Sequence, residues 1–188
     1  MRARVANDVV TAGWVAAGMA FMAAVWFLWS NSLTLIPAGL VALVEVALIV
    51  AAVRLIQKGK ILRERFPVES GWRDDDSRSF YIVFGTEFIL IFVLDMIAIN
   101  VLHRPDLVPF FTSIVVGAHF VPLARIFHTP SHALFGTAIV VWCVICWFAF
   151  PAEIGEYSCL GTGVILWGLS LSLLWRGRRD AQSIEARS

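Results

Sequence analysis

Four ionisable residues sit inside long apolar runs of this chain: Glu45, Glu87, Asp95 and His119. A charged side chain in mid-bilayer costs about 2.5–3.5 kcal/mol on insertion scales, so each needs a partner or a task. Low dielectric brings carboxylate proton exchange toward the neutral range, where imidazole already titrates. Carboxylates beside a histidine therefore suit proton uptake and release, as in a proton-coupled carrier or a cation pathway. The same donors suit a divalent metal, with His119, His128 and His132 as the candidate nitrogen ligands.

Spacing places these groups in depth. Glu45 lies nine residues before Arg54, Glu87 eight after Ser79 and His119 six before Arg125. At about 1.5 Å per residue, all three fall roughly 9–14 Å inside one boundary, on three different spans. Asp95 follows Glu87 by eight residues, about 80° around the same helix. His119 stands between Gly117 and Pro122, and the proline ring leaves the Ala118 carbonyl without its usual donor. A helix break at Gly117 and Pro122 is expected, since broken backbone at membrane depth often lines a binding site.

The elements that must carry these residues are set by hydropathy. Of 188 residues, 59% are hydrophobic and 15% charged, with a mean hydropathy of +0.79; soluble domains average roughly 25% charged. Six apolar runs read Val9–Trp29, Leu35–Val53, Phe80–Val101, Leu107–Ala124, Ala133–Phe150 and Leu160–Trp175. Each approaches the roughly 17–25 residues of a spanning helix, and none alternates as a barrel strand does. The fold class expected is an all-α integral membrane protein, a six-transmembrane-helix bundle forming a single transmembrane domain over 1–188. Only the basic segment 54–79 is long enough to hold structure between spans, and helix-forming residues from Arg54 to Phe66 prolong the second helix until Pro67. Asp74 to Ser77 offer caps for the third.

Fourteen of the fifteen basic residues fall on one side of this map, with Arg104 alone on the other. The positive-inside rule then puts both termini in the cytoplasm, in a multi-pass protein of the cell membrane. Trp26, Trp29, Trp147 and Tyr157 fall near the outer boundary and Trp14, Trp72 and Trp175 near the inner, as aromatic anchors do. A net charge of +1 gives no footprint for nucleic acid. Ala12, Ala16, Ala20 and Ala24 recur every fourth residue, a smooth strip for packing in the bundle or for a second copy or partner subunit. His128-Thr129-Pro130-Ser131-His132 reads as a turn and helix start.

The three cysteines form Cys143-x-x-Cys146 in the fifth span and Cys159 at the start of the sixth. In apolar surroundings they behave as small hydrophobes. A Cys-x-x-Cys toward the outer side of a helical bundle also resembles the membrane thiol oxidases that pass electrons to quinone, which use two pairs where this chain has three cysteines. The alanines spaced by four, with the size and span count, resemble the substrate-binding subunits of energy-coupling-factor vitamin importers, which would imply docking through Ala12, Ala16 and Ala20.

No phosphate-cradling glycine loop, His-Glu-x-x-His or Gly-x-Ser-x-Gly occurs, which gives no ground for hydrolytic or ATP-driven chemistry, and no cofactor is specified. The expectation is a protein that binds or moves a small ion or solute through Glu45, Glu87, Asp95 and His119. A non-catalytic membrane subunit and a quinone-linked thiol oxidoreductase are the alternatives.

Overall fold

A computed structural model describes residues 2–29, 38–66, 74–126 and 129–186, with the side chains of 2–6 and 74–77 outside the description. Six helices long and apolar enough to span a membrane make up the fold, and no strand occurs among the described residues. They are α1 (Arg2–Trp29), α2 (Ala38–Arg65), α3 (Asp74–Met96), α4 (Val108–Ile126), α5 (Pro130–Ala149) and α6 (Ile154–Glu185). The chain is thus an all-α, multi-pass membrane protein.

Helix ends follow local chemistry. Thr129 caps α5 with Pro130 in the first turn, where its missing N–H costs nothing. α3 passes into a π-helical turn, Ile97–Val101, in which Leu102 N donates to the Ile97 carbonyl at 2.9 Å. Asn100 helps satisfy the wider register by donating from Nδ2 to the Met96 carbonyl at 3.1 Å. His103, at φ 52°, turns the chain toward the 3₁₀ turn Pro105–Leu107 that opens α4. α2 runs on through the basic segment, as its helix-forming residues predict. α6 extends well beyond the expected Trp175, because Arg176–Glu185 holds no proline and keeps an apolar seam of Gly177, Ala181 and Ile184 buried.

The helices fall into two compact units. The first contains Met1–Ala24, Ala38–Trp72 and Leu166–Ser188. In it α1 meets α2 at Gly13, where an added Cβ would lie 2.6 Å from Ile56, and α6 meets both at Gly177, beside Leu55 and Ala12. Ala16 and Ala20 are wholly buried, and Ser170 Oγ donates to the Ala16 carbonyl at 2.9 Å. Ala16 and Ala20 of the alanine strip thus pack within this unit, while Ala12 and Ala24 are half-buried.

The second unit contains Val25–Pro37 and Arg73–Ile165. In it α4 packs against α5, and α3 against α4. Gly117 and Gly136 make the α4–α5 approach possible: a Cβ on Gly117 would lie 2.9 Å from the Gly136 carbonyl oxygen, and one on Gly136 would press on that of Gly117. The expected break is absent. α4 continues through Pro122 to Ile126, and Gly117 serves close packing.

Candidate functional site

α3 is almost entirely apolar and exposed, and Glu87 is the polar side chain it buries, at 8% exposure. It turns to His119 on α4, with Glu87 Oε1 and His119 Nδ1 3.0 Å apart. That separation is an ion pair's, yet the ring N–H does not aim at the oxygen well enough for a hydrogen bond. Nδ1 and the second carboxylate oxygen, Oε2, accordingly lack hydrogen-bond partners in a buried setting. The imidazole lies against the Phe120 ring at 4.6 Å between centroids, which holds its plane. The side chains keep 13% and 9% exposure, so this is a nearly dry pair with residual access.

Asp95 occupies a second position in the same unit. Thr112 Oγ1 approaches Asp95 Oδ1 at 3.4 Å and donates to the Val108 carbonyl at 2.9 Å. One hydroxyl carries one proton, so the shorter bond takes it and the contact with Asp95 is weak.

Glu45 belongs to the other unit. It is buried at 7% exposure, and Oε1 accepts a 2.7 Å bond from Trp167 Nε1 of α6, while Oε2 is unpartnered. Indole does not titrate, so Glu45 has a fixed hydrogen-bond donor, whereas Glu87 has an imidazole neighbour with no hydrogen bond formed.

The sequence reading missed Trp167 and Thr112. A signal for Trp167 existed: Trp142 and Trp167 fall mid-span, away from either boundary, where an indole N–H must bring its own acceptor. Both do so, Trp142 donating to the Tyr157 carbonyl at 2.7 Å. Trp26 is also corrected: at 2% exposure it is a core residue stacked on Trp29, not an anchor facing lipid.

Among the described residues no group of three or more His, Cys, Asp or Glu is placed to hold a metal. His132 is buried with Nδ1 2.8 Å from the Thr129 hydroxyl, while His128 lies outside the described residues. Cys143, Cys146 and Cys159 are free thiols with no exposed surface. Ser158 lies beside Cys143 and Cys146, and Ser113 beside Cys143.

Fold and site together define a multi-pass helical membrane protein with Glu45 beside Trp167 in one unit and Glu87 beside His119 in the other. Residues 79–176, more than half of the chain, match the model of a family of unknown function, DUF7010, and the chain belongs to that family. The match runs from α3 into α6 and takes in Glu87, Asp95, Thr112, His119 and Trp167. No curated protein and no solved structure matches the chain.

Proposed function

We propose that this DUF7010 protein lies in the cell membrane with both ends in the cytoplasm, and binds or translocates a small ion or solute by proton exchange at Glu87 and His119. The observation that supports it is a buried carboxylate 3.0 Å from a largely buried imidazole, with Nδ1 and Oε2 left without hydrogen-bond partners. A pair that served packing alone would gain by closing those bonds, as buried polar groups generally do. Incomplete satisfaction leaves room for an incoming proton or cation. Asp95 and Thr112 offer a further polar step in the same unit, and Glu45 is a structural acid held by Trp167. The orientation rests on the distribution of lysine and arginine.

The thiol oxidase alternative loses its support with the burial of all three sulfurs. A larger complex is not needed to cover α3, because lipid suffices for an apolar helix face.

Purified protein in sealed vesicles with an entrapped pH dye tests the reading. The wild type should dissipate an imposed pH gradient faster than empty vesicles, Glu87→Gln should match empty vesicles, and Glu45→Gln should retain the flux. Wild-type flux in Glu87→Gln removes the proposed site.

A further inference from the structure

The C-terminal parts of α2 and α6 run together in the first unit, and contacts set the level of their neighbours. Gly13 meets Ala52 and Ile56, and Gly177 meets Leu55 and Ala12. Trp14, Arg54, Trp175 and Arg176 are sequence neighbours of these contact points, so they share one level to within about a helical turn. All four are exposed, the two tryptophans at 61% and 63%. Exposed indoles at one height, next to arginines, mark the plane where hydrocarbon gives way to headgroups. Arg179 lies over the Trp175 ring, its guanidinium carbon 4.6 Å from the centroid, an arrangement that leaves its N–H groups free for an oxygen acid.

Charge is concentrated beyond this level. Arg54–Arg65 and Arg176–Glu185 hold eight basic and three acidic residues, a net +5, whereas the whole chain is +1. Among these, Lys58 is occupied by Glu185 at 2.9 Å. Arg54, Arg176 and Arg179 are exposed at the belt itself.

We infer that the belt formed by Arg54, Arg176 and Arg179 with Trp175 binds the phosphate headgroups of anionic phospholipids in preference to zwitterionic ones. Guanidinium groups take phosphate oxygens two at a time, and the tryptophans hold the groups at headgroup height. The inference is independent of proton exchange at Glu87.

Full-length protein reconstituted in phosphatidylcholine, with spin-labelled phosphatidylglycerol or spin-labelled phosphatidylcholine as probe, tests it by electron paramagnetic resonance. At low salt the immobilised fraction should favour phosphatidylglycerol about threefold, and high salt should erase the preference. The variant carrying Arg54→Gln, Arg176→Gln and Arg179→Gln should lose it, while Arg104→Gln should keep it. Equal association of both lipids with the wild type, or a preference that survives the triple substitution, overturns the assignment. So does binding of soluble polyglutamate to the wild type that added phosphatidylglycerol does not diminish, since the surface would then serve an acidic polypeptide. Should the triple variant fail to fold, the salt dependence of the wild type alone decides.

Discussion

Glu45 and Glu87 are buried to the same degree, 7% and 8% exposed, and each keeps one carboxylate oxygen without a partner. Their neighbours differ. Trp167 gives Glu45 a well-formed 2.7 Å bond from a donor that never changes its proton count. His119 stands 3.0 Å from Glu87 with imperfect aim and can hold one proton or two. Burial alone therefore does not distinguish the two carboxylates. On the function proposed above, what separates them is whether the partner can answer a change of charge.

The largest effect should come from removing the switchable partner. His119→Leu leaves Glu87 without its charge partner in a nearly dry setting, and breaking a buried pair on one side costs about 3–5 kcal/mol. Thermal unfolding in micelles, read by reaction of the three buried cysteines with a thiol probe, should show it. Adding Glu87→Met to His119→Leu should restore most of the stability, because two apolar groups replace both partners. Proton flux should stay absent in that double variant. Restored flux would show that the pair serves only packing, and the contrast with Glu45 would collapse.

A smaller effect is expected at the fixed pair. Trp167→Phe removes the indole donor and leaves Glu45 wholly unsatisfied, which costs about 1–3 kcal/mol. Glu45→Gln keeps a carbonyl oxygen for the indole N–H and should cost less than Trp167→Phe. Circular dichroism melts at several pH values give the sharper version of the comparison. The Trp167→Phe loss should appear in stability while flux and its pH response stay as in the wild type; a flattened pH response would make Glu45 a working group too.

Much of this was legible before any coordinates. Continuous apolar runs set six helices, and the cost of charge in lipid singled out Glu45, Glu87, Asp95 and His119. Partners were less legible, because hydropathy gives depth along a helix but not which faces meet. Depth matched His119 to Glu87 and Glu45 alike; the structure sets it beside Glu87 and gives Glu45 to Trp167. Trp167 and Thr112 escaped since neither is charged and both pass as ordinary span residues. Gly117 and Pro122 misled: a proline in a span reads as a break, yet α4 carries Pro122 within regular helix, and Gly117 is required by the carbonyl of Gly136. The alanine strip was read as a packing strip or a partner surface, and Ala16 and Ala20 do pack within the protein; periodicity shows that a helix will be approached closely but not by what.

An exposed ion pair calibrates the low end of the comparison. Lys58 Nζ and Glu185 Oε2 are 2.9 Å apart, as short as the Glu87–His119 separation, yet their side chains are 41% and 50% exposed. Water already solvates both charges, and holding two long side chains in one geometry offsets much of the attraction. Lys58→Met should shift stability by no more than about 0.5 kcal/mol, and that shift should vanish in high salt. A loss as large as that of His119→Leu would mean that distance and not burial governs these pairs, and the distinction drawn between Glu45 and Glu87 would then have no physical basis.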